Sequence, residues 1–349
     1  MYDVAVIGGG PGGATCAAVC AAAGRSVLVL ERSRFPREKV CGDCLNPLAW
    51  ATLERLGVIG AILNEPHTKL EGVRFVGVDG RSVRIPLPPS EKPELGITRS
   101  RLDAVLLQNA RHSGAEIIEG SSLTHITRTA SHWQLKSDSG CFNTRQLVAA
   151  DGRNSTVSRI LGLLTSFHPD DRIGTQIHFN APAELGADVA LHFLPQGYMG
   201  LAPVGDGQAN LCLVTRANQL NHLKERAIRE YGIAEDQQWR SISPLSRTPL
   251  LAAQENLWLV GDAARVVEPF TGEGIAYALR SGALCAEALL EQNPKRYILE
   301  HKALYRGRLW VNQLAKAACV FPRLGTALVA GGQIFPEIFT LLTRKVIQS

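Results

Sequence analysis

The 349-residue chain has no run of 18 apolar residues, so nothing in it predicts a membrane-spanning helix. Its most apolar region, 311–347, is interrupted by Lys316, Pro322, Arg323, Pro336 and Arg344. A dense Lys/Arg stripe is also missing. The net charge is only +5, which argues against a nucleic-acid partner. No long, polar, charge-rich tract predicts disorder, and there is no internal repeat or low-complexity linker. The eight cysteines form no disulfide framework, and several lie in apolar helix-like runs where a free thiol packs as a small hydrophobe. The expectation is therefore a reducing, cytoplasmic compartment. Cys41-x-x-Cys44 has no second Cys pair or close His pair beside it, so no metal site is expected. An iron–sulfur cysteine set is likewise absent. The first strand begins at residue 2, and a signal peptide is not expected.

What remains is a chain that is 45% hydrophobic, enough for a large core in two domains or one large α/β unit. Tyr2 to Ile7 predict a buried parallel strand. Gly8 to Gly13 form a glycine turn, and Ala14 to Ala23 predict a helix that Gly24 caps. Ser26 to Leu30 predict the next buried strand, completing a βαβ unit. Helices are expected over Leu48–Leu56 and Thr98–Gly114, with a hairpin over Val73–Ile85 turning at Asp79-Gly80. Strands follow at Glu116–Ile118, Leu123–Arg128, His132–Ser137 and Gln146–Ala150. Four more lie at Ile173–Asn180, Val189–Leu194, Tyr198–Val204 and Asn210–Thr215, the last pair joined through Gly205-Asp206-Gly207. A strand at Leu257–Val260, a helix over Gly274–Glu291 and a helical tail broken by prolines complete the pattern.

Gly8, Gly10 and Gly13 fit G-x-G-x-x-G between a strand and a helix. The first glycine permits the tight turn, the second lets the backbone approach a pyrophosphate, and the third lets helix and strand pack closely. Pro11 and Gly12 open the helix, whose N-terminus offers free N–H groups and a positive dipole end to phosphates. Glu31 ends the second strand where a ribose hydroxyl would be accepted, and Arg32 beside it is placed for an adenine edge. The motif predicts a dinucleotide site without separating NAD from FAD.

A second fingerprint supplies that choice. Gly261-Asp262-Ala263-Ala264 ends a strand and runs through Pro269-Phe270-Thr271-Gly272-Glu273-Gly274-Ile275 into a helix. Asp262 can bond a polyol hydroxyl, and the turn from Gly272 to Gly274 and Ile275 aims N–H groups at a flavin edge that gathers negative charge on reduction. Together with Ala276-Tyr277-Ala278-Leu279-Arg280-Ser281-Gly282, this segment resembles the C-terminal FAD fingerprint of the geranylgeranyl reductase family, within the para-hydroxybenzoate-hydroxylase-like flavoproteins. Asp151-Gly152 in Ala149–Ser155 is similar to their middle motif, where the Asp supports FAD, and Arg99-x-x-Leu102-Asp103 to their Arg motif, whose Arg contacts FAD near its phosphates. By the same resemblance Leu123 offers its backbone to the adenine, and Lys39-Val40-Cys41-Gly42 places Cys41 and Gly42 near the isoalloxazine. His192-Phe193-Leu194-Pro195 with Gly197-Tyr198 is similar to the family's substrate strand. Phe35-Pro36-Arg37 resembles flavin halogenases, but their Trp-x-Trp-x-Ile-Pro signature is missing, which argues against halogenation.

The resemblance runs from residue 2 to roughly residue 300. It implies an α/β fold: a doubly wound Rossmann-type FAD domain, an inserted antiparallel β-sheet substrate domain and a helical C-terminal tail. Residues 1–70, 98–165 and 248–300 would form the discontinuous FAD-binding domain, 71–97 and 166–247 the substrate domain, and 301–349 the C-terminal segment. Cys41 and Cys44 read either as a redox pair or as a loop lining the flavin. Cys41, His192 and Tyr198 are the candidates for catalysis. The run Arg32, Arg34, Arg37 and Lys39 either meets an NAD(P)H phosphate or is a solvated loop. The implied reaction is hydride transfer from reduced flavin to a carbon–carbon double bond of an apolar isoprenoid, lipid-like or polyketide substrate. NAD(P)H or a protein would be the electron donor, and a peripheral membrane contact through the apolar tail is open. A monooxygenase acting through a flavin hydroperoxide and an electron-transfer flavoprotein are the alternatives.

Overall fold

In a computed structural model of the chain, residues 1–164, 172–306, 309–334 and 337 are described. The apolar run Tyr2–Ile7 lies at the centre of an eight-stranded sheet, parallel to Val27–Glu31 on one side and to Gly140–Ala149 on the other. Its side chains alternate between two cores. Val4 and Val6 pack under the helices, while Ala5 and Ile7 face the opposite layer. Burial on both faces is why the run reads as continuously apolar rather than alternating. Glu116–Glu119 and Leu257–Leu259 extend the sheet in parallel register.

Three helices, Pro11–Ala22, Arg99–His112 and Gly274–Leu290, cover one face and share its core. The other face is covered by the antiparallel strands Leu123–Arg128 and Trp133–Ser137, which run on into Gly140–Ala149. That last strand is longer than its apolar half, Gln146–Ala150, predicts. Its first residues are mostly exposed and pair only with the neighbouring hairpin strand, so they carry no apolar run.

The first and last of the three helices meet backbone to backbone. A Cβ at Gly282 would lie 2.3 Å from the Gly12 carbonyl oxygen. Small residues (Ala14, Ala17, Ala18, Ala21) line the first helix and permit this approach.

A second, seven-stranded sheet takes its strands from residues 72–86 and 172–242. The expected hairpin is present as Gly72–Val76 and Ser82–Pro86, and Gly80 sits at φ +82° in its turn. Of the four long strands, Asp188–Leu194, Gly197–Gly205 and Gln208–Arg216 pair antiparallel in chain order, and Arg172–Asn180 pairs antiparallel with Gln208–Arg216 on the far side. The sheet is not wholly antiparallel, however. Gly72–Val76 runs parallel to Asp188–Leu194, because the hairpin arrives from more than a hundred residues away and docks on the edge in that sense.

The helix Leu220–Tyr231 backs this sheet through Leu223 and Ala227. Ile228 and Tyr231 pack partly against the same core, so the apolar residues of this otherwise polar segment recur at helical spacing. Two tail helices, Leu309–Val320 and Pro322–Ile334, break at Pro322 as the sequence indicates. Pro336 and Arg344 lie outside the described residues. Gly325 lets the second tail helix sit directly on the Phe193 ring, at 2.8 Å from where a Cβ would be.

The crossing at Gly282 generates a prediction. Gly282→Ala should destabilise the protein by about 1–3 kcal/mol, the usual cost of overpacking. Gly60→Ala, in a helix where a Cβ meets nothing within 4 Å, should not. Equal melting temperatures for the two variants would refute the backbone crossing.

Candidate functional site

The glycine turn is shaped by what surrounds it. Gly8 has φ +104°, and a Cβ there would lie 2.6 Å from the Ala150 carbonyl oxygen. A Cβ at Gly13 would lie 1.9 Å from the Gly8 carbonyl oxygen. Gly10 is different: a Cβ would meet only the guanidinium tips of Arg37 and Arg99, at 3.6 and 3.9 Å. The turn is thus closed against the protein on two sides and open toward two cations on the third. Gly10, Pro11 and Gly12 line the cavity that begins there, of about 320 Å³.

Glu31 is buried and braces the turn. One carboxylate oxygen accepts the Gly9 N–H at 2.7 Å and the other the Ser33 N–H at 2.8 Å. Arg32 is exposed and does not line the cavity. Leu123 is buried in the core beneath the sheet, two residues beyond Ser121, whose N–H donates to the Glu31 carbonyl at 2.9 Å. Asp151 turns its carboxylate away from the cavity to accept the Val157 N–H at 3.1 Å, and burial raises its pKa. Its neighbours Ala150, Gly152 and Arg153 do line the cavity.

One end of the cavity is cationic. Arg99 grips Asp103 with two hydrogen bonds, at 2.7 and 2.6 Å, and Arg37 donates to the same carboxylate at 2.8 Å. Burial alone would raise the Asp103 pKa. Arg99, Arg37 and Lys39 outweigh it and hold the group below its usual value. Lys39 faces the cavity beside Asp262. Burial, and then the nearby Arg99, push its pKa down to about 8. Arg153 stands 3.6 Å from the Asp262 carboxylate, and Arg247 donates to the Ala263 carbonyl at 2.8 Å. Arg37, Lys39, Arg99 and Arg153 therefore face Asp103 and Asp262, an excess of positive charge suited to a diphosphate. In the sequence Lys39 belongs to a run that either meets an NAD(P)H phosphate or is a solvated loop, and nothing there singles out Arg153 or Arg247. Only their proximity to two separate motifs in space reveals them.

The middle of the cavity joins three segments. Gly272, at φ +69°, makes the bend before the Gly274–Leu290 helix, so Gly274 and Ile275 present its first turn to the cavity. Cys41, Gly42 and Cys44 face it from the opposite loop. The backbone of Cys41 is held by the second sheet. Its N–H donates to Gln176 at 3.1 Å, and its carbonyl accepts from Asn210 at 2.8 Å and from the Cys212 thiol at 3.0 Å. Burial raises the pKa of both Cys41 and Cys44, which keeps them as thiols. That weakens the redox-pair reading, because exchange needs the thiolate.

The far end is apolar. Phe270 packs against Phe193 at 5.7 Å and takes the edge of Tyr198 at 5.2 Å. Leu191 and Phe75 line the same end, and Leu314, Ala318 and Leu328 come from the tail helices. Tyr198 lines the cavity, with its phenol pKa raised well above the usual value by burial. His192 does not line it. Strand alternation sends Leu191 and Phe193 into the cavity and His192 to the opposite face, toward Val76 and Arg226. The expectation of His192 as a catalytic group is corrected on that ground.

These features fit FAD. The cationic end matches its diphosphate, and the Nε atom of Arg153 is buried there without a hydrogen-bond partner among the described residues. A model of the family described as FAD binding domain matches residues 1–292. The chain belongs to that family. It is an FAD-dependent oxidoreductase, and its likeness to the geranylgeranyl reductases is supported by relatives on both sides. The menaquinone reductase of Mycobacterium tuberculosis is 32% identical over 324 residues, covering 82% of this chain and 76% of that protein. Digeranylgeranylglycerophospholipid reductase 1 of Methanothermobacter thermautotrophicus is 29% identical over 319 residues, with the same coverage of 82% and 76%. Among solved structures, a triple mutant of the flavin-dependent brominase Bmp2 superposes with a TM-score of 0.80 at 20% identity, covering 100% of this chain and 96% of the other. At that identity the superposition shows a shared fold alone.

Asp262→Ala should weaken FAD binding about 10- to 100-fold, the loss expected for a hydrogen bond to a charged group. The ratio of flavin to protein after purification measures it. An unchanged ratio would remove Asp262 from the FAD site.

Proposed function

We propose that this protein reduces a carbon–carbon double bond in an apolar, polyprenyl or similarly lipid-like substrate. The observation that carries this reading is the two-part cavity: a cationic end built for a dinucleotide continues into an apolar chamber walled by Phe75, Leu191, Phe193, Tyr198 and Phe270. Both reductase relatives bear names of lipid-like substrates, which supports the same reading.

In this assignment Gly10, Pro11, Gly12, Lys39, Arg99 and Arg153 hold the FAD diphosphate. Glu31 and Asp262 accept hydroxyls, Arg32 and the Leu123 backbone flank the adenine, and Asp151 holds the loop on which Arg153 sits. The first turn of the Gly274–Leu290 helix directs its free N–H groups at the pyrimidine edge of the flavin. Gly8 and Gly13 shape the turn. Cys41 and Gly42 face the ring from the loop that the second sheet holds in place. When bound, FAD supplies the hydride. The aromatic cluster around Phe270, Tyr198 included, orients the apolar substrate and excludes water.

NAD(P)H is the proposed electron donor, with exposed Arg34 offering charge to its phosphates. A peripheral membrane contact is proposed at the outer faces of the tail helices. There Phe321 is 62% and Ile334 71% exposed, and Lys316 and Arg323 of the same two helices are also exposed. Among the described residues no helix is long and apolar enough to cross a membrane.

The test is anaerobic. FAD-loaded protein is reduced with NADPH, and a geranylgeranyl lipid is then added in anionic vesicles. Return of the oxidised flavin spectrum without oxygen supports the reductase. Reoxidation by oxygen alone, with a transient hydroperoxide spectrum, would favour the monooxygenase. Phe321→Asp should lower co-sedimentation with the vesicles, and unaltered co-sedimentation would count against the membrane contact.

A further inference from the structure

Reduction of a double bond needs a proton as well as a hydride, and the cavity holds few groups able to give one. Among the described residues its lining has two carboxylates, Asp262 and Glu94. Asp262 sits at the cationic end, between Arg153 and Lys39. Glu94 sits elsewhere. It precedes the short strand Leu95–Gly96 and lies beside the bend before the Gly274–Leu290 helix, with one carboxyl oxygen 3.7 Å from where a Cβ on Gly272 would be. Its backbone carbonyl is fixed by the Leu70 N–H at 3.0 Å, but its side chain makes no hydrogen bond or ion pair among the described residues. It is a carboxyl group without a cation, lining the middle of the cavity beside Gly272 and Cys44.

We propose that Glu94 is a neutral carboxylic acid at working pH and delivers the proton that completes reduction of the substrate. The inference rests on the reductase reading above. The groups that face it are Glu273, at the start of the helix, and the Cys44 thiol. Neither stabilises a negative charge, and Glu273 is itself bonded by the Tyr277 hydroxyl at 3.0 Å. Burial first, and then Glu273, push the Glu94 pKa up to about 7. An acid is most effective when its pKa lies near the operating pH. The competing donors fare worse: burial raises the Tyr198 phenol and the three cavity thiols, Cys41, Cys44 and Cys212, further from neutrality, and Lys39 sits at the cationic end beside Asp262.

The step balances. One alkene carbon accepts a hydride from reduced flavin while the π bond breaks. The other carbon takes the proton from the Glu94 O–H bond. Two C–H bonds form, the alkene is reduced by two electrons, the flavin is oxidised by two, and water reprotonates the carboxylate. NAD(P)H or a donor protein restores the reduced flavin.

Two measurements on the FAD-loaded protein test this. The first is infrared difference spectroscopy between acid and alkaline pH. Wild type should lose a carboxylic C=O band with a midpoint near pH 7, and Glu94→Gln should lack that band. An identical spectrum in the variant overturns the proposal whatever the substrate is. The second is single-turnover reoxidation of reduced enzyme by the geranylgeranyl lipid. Glu94→Gln should slow it by about 10²- to 10⁴-fold. Flavin content and dithionite reduction should stay normal, and Glu94→Asp should recover part of the rate. The wild-type rate should fall as pH rises through 7, because the protonated form is the donor. A Glu94→Gln rate equal to wild type overturns the proposal. An intact band with no lipid turnover in wild type instead overturns the reductase reading, and the delivery step with it.

Discussion

The approach of backbone to backbone around the glycine turn is the constraint on which the rest of the structure depends. The Gly8 carbonyl stands where a side chain on Gly13 would be, and the Gly12 carbonyl stands where one on Gly282 would be. These contacts lock the first strand, the first helix and the Gly274–Leu290 helix at one point. The same lock brings Asp262 and the Gly272 bend, about 250 residues later in the chain, to the mouth of the turn that begins at Gly8. A side chain at any of these positions would push apart the elements that carry the two halves of the FAD site.

Charge is then graded along the cavity. Asp103 is wholly buried, yet it stays ionised because Arg99 and Arg37 both reach it. Held in this way, the two guanidiniums cannot swing away, and Gly10 leaves open space in front of them. Lys39 is depressed by its own burial and by the same arginines. A bound diphosphate would relieve that repulsion, so the cationic end is most strained when no anion occupies it. Farther along, cations give way first to the bend at Gly272, where Glu94 has no cation as a partner, and then to aromatic rings.

Much of this was legible in the chain. The Tyr2–Ile7 run, the glycine spacing, the Asp79-Gly80 hairpin and the strand–helix joint at Gly261–Ile275 each depend on local rules of turn and burial, and each is found where the residues indicate. The helix Leu220–Tyr231 went unread although Leu220, Leu223, Ala227, Ile228 and Tyr231 recur at helical spacing, because the polar and charged residues between them give the segment the composition of a loop. His192 was misplaced because a strand's period says which residues share a face but not which face is the cavity. Glu94 carries no motif at all, and the motif that contains Lys39 points to Cys41 and Gly42 rather than to the lysine. Their significance comes from what surrounds them in space, and burial cannot be read from a residue's immediate neighbours in the chain.

The loop at Cys41 shows how the two sheets act as one site. Asp43 sits at φ +56°, fully buried, and its carboxylate is bonded by His178 at 2.7 Å and by Gln176 at 3.1 Å. Gln176 also accepts the Cys41 N–H, so one side chain of the second sheet holds two residues of the loop. Burial raises the Asp43 pKa to about 6. Burial would lower that of His178, but the hydrogen bond and charge of Asp43 reverse the sign. Two groups that would each resist burial alone are therefore tolerated together, and together they fasten the loop to the roof of the cavity. The cationic end belongs to the first sheet and the apolar end to the second. This loop touches both, as does the segment that carries Phe270 onto Phe193 and Tyr198, so the clamp on Cys41 helps to set the alignment of a flavin with an apolar substrate.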